Sequence, residues 1–385
     1  MPNIPGVESF TGVSCHTHGW PKEGIDLAGK RVGIIGTGAT AVQTIQTIAK
    51  TVGHLTVFQR TPNWCFPLNN SRITPEEMRD ICARYPEILA RCRETPSCYV
   101  HGPDPRKTLE VTPEEREAFW EKLYRTPGFG QWQGNFSDML TDRAANALAS
   151  EFAARKIRER VKDPVVAEKL IPRNHGFGTR RIPLETGYYE AYNQPNVELV
   201  DVNDTPIERI TPRGIRTSER EFDVIIYATG FDSITGAFER IDIRGVDGVR
   251  LNDVWKDGPQ TYLGVFVTGF PNLLMAMGPH AGLSNYTRTA EYGVEWIAGM
   301  IRFATERRLT RIEAPAAAVD EWTDHVLALG QGLLMNEIGS WMTGVNRNVE
   351  GKQKPRIMRY SGGHPAYREH CDAVAAEGYR KLALQ

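Results

Sequence analysis

"RVGIIGTGATA", residues 31–41, decides the architecture. Its first half is a short run of branched apolar residues, the composition of a strand buried on both faces of a parallel sheet. Its second half, Gly36-Thr37-Gly38-Ala39-Thr40-Ala41, has the form G-x-G-x-x-A. Beyond it Val42, Ile45, Ile48 and Ala49 fall on one helical stripe, and "HLTVFQR", residues 54–60, returns to strand character. One β-α-β unit is expected. In that setting Gly36 makes the tight turn, Gly38 lets the backbone approach a pyrophosphate, and Ala41 permits close helix-to-strand packing, with the phosphates at the helix N-terminus. The site read here is Gly36, Thr37, Gly38, Ala39, Thr40, Ala41 and Gln43, and its ligand is a dinucleotide.

Which dinucleotide binds depends on the end of the second strand, where an Asp or Glu would read a ribose 2′-hydroxyl. From Leu27 through Pro75 there is no carboxylate, and the second strand runs into Gln59-Arg60-Thr61. A guanidinium and a hydroxyl at that corner suit a 2′-phosphate, so Arg60 and Thr61 are assigned to NADP rather than NAD.

Outward from this unit the composition changes to charged helix between about Ile73 and Lys169. Thr74-Pro75-Glu76-Glu77 and Thr112-Pro113-Glu114-Glu115 are two copies of one helix-start signal: a capping hydroxyl, a proline suited to the first turn, and carboxylates at the positive end of the dipole. The block carries no convergent polar cluster of its own and reads either as a lid beside a cleft or as plain scaffold. Strand character resumes at Val197–Val202. "PIERITPRGIRTSER", residues 206–220, looks like a hairpin turning at Pro212-Arg213-Gly214, and "FDVIIYATGF", residues 222–231, is another apolar strand. Residues 261–277 read as two more strand-like runs, followed by the "GPHAGLSN" loop, a helix ending near Arg308, and a helical tail in "REHCDAVAAEGYRKL".

The chain has 385 residues, enough for two or three domains, and its formal net charge of -1 gives no field to gather nucleic acid or an anionic membrane. Its six cysteines, Cys15, Cys65, Cys82, Cys92, Cys98 and Cys371, contain no C-x-x-C pair, and no signal-peptide pattern precedes them. No apolar run approaches membrane-spanning length. A cytoplasmic protein without nucleic-acid, membrane or metal partners is expected.

The segment ahead of the first strand carries a second pattern. Phe10-x-Gly12-x-x-x-His16-x-x-x-Trp20-Pro21 is similar to the fingerprint of Baeyer–Villiger monooxygenases, and flavin monooxygenases of amines and sulfides lack its Trp-Pro ending. The resemblance continues in order through "VFQRTPNW", "FGTRR", "TGYYE", "NVELVD", "YATGFD", "GFPNLL" and "SWMTG", from about Pro5 to Leu384. It implies a Rossmann-like flavoprotein with two dinucleotide-binding domains, using FAD and NADPH to insert one atom of O2 beside a ketone carbonyl, giving an ester or lactone. It further implies that the fingerprint links the two domains and steers their motion. In "GTRR", Arg181 matches the family's catalytic arginine, a cation that keeps its proton beside an anionic oxidant. Arg180 matches a basic residue for the NADP phosphate, where lysine is commoner and arginine alters the fork geometry. Trp341 matches a tryptophan that contacts the NADP ribose and shapes the substrate pocket. Tyr286 matches a position whose backbone touches the flavin. His280, on the same loop, reads as a bystander rather than an acid or base.

The FAD fingerprint G-x-G-x-x-G and the N-terminal catalytic carboxylate of that family are not found in residues 1–385. The expectation is therefore a fragment, arising from a mis-set start or a truncated gene. Residues 1–27 would be a linker with the fingerprint, 28–72 and 176–230 the NADP-binding domain, 73–175 a helical insertion, and 231–385 the later part of the FAD-binding domain. Such a fragment would seek its missing N-terminal FAD-binding segment as a partner. It would expose an unpaired strand edge and an apolar face, and alone it would bind FAD poorly. Two other readings stand beside this one: a flavin monooxygenase acting on sulfur or nitrogen, and a non-catalytic NADP-binding remnant or subunit of a split enzyme.

Overall fold

Val32, Ile34, Leu55, Val57, Ile225 and Ile226 are fully buried, and they lie on three adjacent parallel strands. Covered on both faces, such strands must be apolar throughout, which is why "RVGII", "HLTVFQ" and "VIIY" show no alternation. The computed structural model describes residues 1–217, 220–282 and 284–385. It divides into two units, Met1–Asn70 with Asp104–Phe231, and Ser71–Pro103 with Asp232–Gln385.

The first unit is built on a five-stranded parallel sheet. Its strands are β1 (Val13–His16), β2 (Arg31–Ile35), β3 (His54–Gln59), β4 (Val197–Asp201) and β5 (Val224–Tyr227), in the spatial order β1-β5-β2-β3-β4. The order reverses direction at β2, so a crevice opens there beyond the carboxyl ends of β2 and β5, where doubly wound folds bind their ligands. Helix α1 (Ala39–Ile48) buries Ala41, Val42, Ile45 and Ile48. Each of the three branched residues contributes roughly 1.5–3 kcal/mol by leaving water.

Both expected helix starts form complete capping boxes. Thr74 opens α2 (Pro75–Ala83) with Glu77 returning to its amide, and Thr112 opens α3 (Pro113–Arg125) with Glu115 doing the same. The hairpin turns at the expected place between Arg209–Thr211 and Gly214–Arg216, and its residues 218 and 219 lie outside the described residues. Two expectations change in this unit. The opening segment is not wholly a linker, because Val13–His16 extends along β5 in parallel register and becomes the sheet's edge strand. The helical block 73–175 is not one body, because residues up to Pro103 belong to the second unit.

In the second unit α4 (Tyr286–Glu306), α5 (Ala316–Gly330) and α6 (His364–Ala376) surround Trp296, Met300, Val319, Trp322, Val326, Tyr367 and Cys371. Trp322 stacks on Tyr360 with ring centroids 5.3 Å apart and planes 5° from parallel. Residues 261–277 form no strand. Leu263 and Gly264 take positive φ of 55° and 68°, so the chain folds back with Phe266 N–H donating to Tyr262 C=O at 3.1 Å. A side chain at Gly264 would stand 2.4 Å from the Ala281 nitrogen, so close backbone approach forces the turn despite apolar flanks. The helical tail begins earlier than expected, at His364, and ends at Ala376, short of Gly378, whose φ is 69°. The "GPHAGLSN" loop is described except for residue 283. The expected unpaired strand edge is not found among the described residues of 232–385, where the two-residue strands Ile312–Glu313 and Ala383–Leu384 pair with each other. None of the described helices is long and apolar enough to cross a membrane.

His175 and His280 are buried, and burial pushes their pKa values down to about 3 and about 4. Below about pH 6.5 the unfolded chain binds protons that these neutral rings refuse, so unfolding becomes easier as pH falls. Between pH 6.5 and 5 the unfolding free energy should drop by up to about 1.4 kcal/mol per pH unit for each ring, and the urea midpoint with it. His280→Gln should flatten that slope, and a pH-independent midpoint in this window would contradict the assignment.

Candidate functional site

The glycine-rich turn follows β2 directly. Gly36 takes a φ of 116°, and a Cβ there would lie 2.3 Å from the Ala228 carbonyl oxygen at the end of β5. Only glycine serves at that position. Gly36 N–H donates to Phe58 C=O on β3 at 2.9 Å, which draws the turn across the sheet. Gly38 is the N-cap of α1, and nothing lies within 4 Å of where its Cβ would stand. That open face above the free amides of α1 is the space a pyrophosphate needs. Ala41 is fully buried against the sheet, Ala39 and Thr40 are half-buried, and Gln43 is exposed. The buried Thr229 Oγ1, next to Ala228, has no hydrogen-bond partner among the described residues. An orphaned hydroxyl beside an open helix terminus fits a polar ligand.

The second-strand corner is tied to this turn. Thr37 Oγ1 donates to Thr61 C=O at 2.8 Å, and Asn203 Nδ2 donates to Arg60 C=O at 2.7 Å. The Arg60 side chain is exposed. Gln59, one residue earlier, is fully buried and donates to Lys169 C=O at 2.7 Å, so the corner's backbone is anchored while its cation faces outward.

The "GTRR" loop lies in the same unit, more than a hundred residues away in sequence. Trp64 Nε1 donates to His175 C=O at 3.1 Å, Phe66 N–H to Pro183 C=O at 3.1 Å, and Asn63 Nδ2 to Arg181 C=O at 3.5 Å. These bonds join the segment after Arg60 to the segment holding Arg180 and Arg181. Arg180 lies near enough to His175 to help lower its pKa, though burial is the larger cause. The Arg181 guanidinium carbon sits 5.6 Å from the centroid of the Phe129 ring. Among the described residues no carboxylate pairs with it.

Residues of the helical block hold this loop, a role that sequence reasoning missed. Asn146, buried on the helix Arg143–Arg160, donates through Nδ2 to Phe177 C=O at 2.8 Å and Met139 C=O at 2.9 Å. Trp132 Nε1 donates to Gly178 C=O at 3.1 Å. At the loop's far end Arg160 forks onto the fully buried carboxylate of Glu185, with Nη1 to Oε1 at 2.7 Å, and onto Glu190. The signal available in the sequence was a single Asn in an alanine-rich helix, which by itself carries no partner.

The fingerprint residues surround β1. A Cβ on Gly12 would meet the Phe10 ring at 2.6 Å and Asp223 C=O at 2.7 Å. His16 Nδ1 accepts from His18 N–H at 3.1 Å, and its ring meets Phe231 edge-on at 5.6 Å. Burial lowers its pKa. Trp20 and Pro21 are half-buried, Trp20 against the sheet's core. Trp341 and Tyr286 belong to the second unit. Trp341 is half-buried in the turn Trp341–Thr343 capped by Ser340, and Tyr286 is the exposed first residue of α4. His280 is a core residue, with Nε2 3.2 Å from Ile357 C=O.

Gly36→Ala and Gly38→Ala separate fold from ligand. The first should cost on the order of 3 kcal/mol in urea unfolding through strain and clash. The second should stay within about 1 kcal/mol of the parent yet lose NADP binding in calorimetric titration. Equal stability of the two variants would refute the close approach at Ala228.

No family model matches the chain. It is 46% identical over 395 residues to the 2-oxo-Delta(3)-4,5,5-trimethylcyclopentenylacetyl-CoA monooxygenase of Pseudomonas putida, covering 100% of this chain and 72% of that protein. It is 38% identical over 386 residues to a Baeyer-Villiger monooxygenase of Pseudooceanicola batsensis, covering 99% of this chain and 70% of the relative. The crystal structure of OTEMO in complex with FAD and NADP superposes with a TM-score of 0.95 at 46% identity, over 100% of this chain and 73% of the other. The chain belongs to the Baeyer–Villiger monooxygenases, flavoproteins that use FAD and NADP.

Proposed function

We propose that the chain serves a ketone-oxygenating enzyme in which its first unit binds NADPH, and that Arg181 is the catalytic cation. The observation that carries this reading is the hydrogen bond from Thr37 to Thr61, which couples the pyrophosphate turn to the corner bearing Arg60. Arg60 and Thr61 receive the 2′-phosphate and Arg180 adds a second cation toward the NADP phosphate, while α1 presents its free amides to the pyrophosphate. Trp341 and Tyr286 are assigned to the NADP ribose and the flavin edge by their match to the family's motifs.

NADPH supplies the hydride and FAD the activation of O2 when both are bound. The residues present fit NADP as described. What this chain contributes is positive charge. Oxygen insertion beside a carbonyl develops negative charge on oxygen, and a guanidinium that pairs with no carboxylate stabilises that charge without surrendering a proton. The guanidinium lies over Phe129, and Trp132 anchors the backbone three residues earlier at Gly178. The 46% identical relative is named for a cyclopentenyl ketone, which makes cyclic ketones the first substrates to try.

Arg60→Ala should weaken NADPH binding about tenfold or more and leave NADH within about twofold. Equal weakening would place phosphate recognition elsewhere. In the assembled flavoenzyme, Arg181→Ala should keep NADPH oxidation but lower ester or lactone formed per NADPH by about a hundredfold, followed by gas chromatography. Retained ester formation would rule out the role given to Arg181.

A further inference from the structure

A recess of about 80 Å³ in the second unit lies between three elements that the chain brings together from distant positions. The segment 92–98 supplies Cys92 and Cys98, the first half of α4 supplies Arg288 and Tyr292, and the first turns of α6 supply His364 and Arg368. The elements are stitched by backbone: His364 N–H donates to Pro96 C=O at 2.8 Å, and Asn285 N–H to Ser97 C=O at 3.2 Å. Arg288 and Tyr292 are four apart on one helix, His364 and Arg368 four apart on the other, so each pair shares a face.

His364 and Arg368 bring unsatisfied polar atoms into it. His364 is 3% exposed, and neither ring nitrogen has a hydrogen-bond partner among the described residues. Arg368 Nε is buried and equally unpartnered, while its guanidinium lies 5.0 Å over the Tyr292 ring. Arg288 pairs with Glu291, and Glu295 and Arg93 stand exposed at the rim. Burial and the two arginines push His364 down to about 4, so near neutrality it offers one N–H donor and no charge. The buried imidazole of His364 and the half-buried guanidinia of Arg288 and Arg368, the latter with no carboxylate partner among the described residues, form a donor set suited to an acceptor rather than a cation. The volume equals the share of two or three waters at about 30 Å³ each, room for one tetrahedral ion.

We propose that this recess binds a small oxyanion of the phosphate class, held by Arg288, Arg368 and His364. The ion is either free or the terminal phosphoryl group of a nucleotide.

The test is calorimetric titration with sodium phosphate at constant ionic strength, chloride serving as the control ion, on the full chain and on Arg368→Gln. Saturable phosphate binding that weakens about tenfold or more in the variant is expected, with Arg368→Lys intermediate. Binding unchanged by Arg368→Gln, or no saturable binding to the parent chain, overturns the proposal. Crystals of the parent chain soaked in arsenate give a second reading that needs no variant. An anomalous peak among Arg288, His364 and Arg368 supports the site, and a recess holding water alone refutes it. Repeating the titration with 2′,5′-ADP separates the sources, since loss of affinity in Arg368→Gln for this ligand assigns the phosphoryl group of a nucleotide, and loss for phosphate only assigns the free ion.

Discussion

Two backbones meet at the crevice more closely than any side chain allows. A methyl group on Gly36 would overlap the Ala228 carbonyl, so the turn after β2 can close against β5 only with glycine there. That contact fixes where α1 starts, because Gly36 also hangs from Phe58 on the neighbouring strand. Where α1 starts fixes where its free amides point. The hydroxyl of Thr37 then reaches Thr61, and the corner that carries Arg60 is set relative to the turn by a single bond. Dinucleotide recognition here is a consequence of sheet closure, propagated through a handful of hydrogen bonds rather than assembled from separate loops.

The helical residues 104–175 extend the same logic to the two adjacent arginines. A loop carrying two like charges has no reason to hold its shape unless its backbone is satisfied elsewhere. Asn146 and Trp132 satisfy Phe177 and Gly178 on one side, and Trp64 satisfies His175. Gly176 has to be glycine for this to work, since a Cβ would stand 1.7 Å from the Asn146 carboxamide oxygen. On the far side the Arg160–Glu185 pair closes the loop's exit. Glu185 also accepts from Gly187 N–H at 2.7 Å and Tyr188 N–H at 2.8 Å, so its carboxylate is fully engaged. Removing one partner of such a buried pair costs about 3–5 kcal/mol, whereas the pair itself adds little over a well-packed apolar substitute. Its contribution is geometric: it holds the chain that carries Arg181 at both ends.

How much of this was legible in the sequence follows from the range of each interaction. The unit at 31–60 is readable because strand, turn and helix are local patterns, and every residue on the expected α1 stripe is buried. The two helix starts are readable for the same reason, since a Thr and a Glu three positions apart close the box within their own first turn. Residues 261–277 mislead because apolar content reports burial and not backbone direction. Tyr262, Leu263, Val265, Phe266 and Val267 are buried as expected, yet Gly264 packing against Ala281 turns them into a loop. The edge strand Val13–His16 was hidden by its brevity, and it exists because β5 offers a free parallel edge. The bond from Asn146 to Phe177 spans 31 residues and the recess at His364 joins segments still farther apart, and no spacing rule reaches so far.

In both units charge placement separates structural cations from available ones. In the first, Arg31, Arg160 and Arg220 are each paired with carboxylates, Arg160 while also lying over the Tyr189 ring, whereas the cation read as catalytic lies over Phe129 with no carboxylate partner among the described residues. An arginine over a phenyl ring keeps its full charge for an incoming anion, because the ring's quadrupole orients it without neutralising it. In the second unit Arg368 stands over Tyr292 in the same manner. Lys352 shows the contrary arrangement: its ammonium reaches Asp232 at 2.8 Å, Glu239 at 2.7 Å and Thr235 at 3.0 Å, three acceptors for three donors, with no capacity left over. It fastens the segment that follows Trp341 to the chain after Gly230, and its charge is spent on structure. What leaves charge available on Arg181 and Arg368 is the lack of a carboxylate partner among the described residues rather than the ring beside each, since Arg106 and Arg160 also lie over rings and are paired with carboxylates as scaffold.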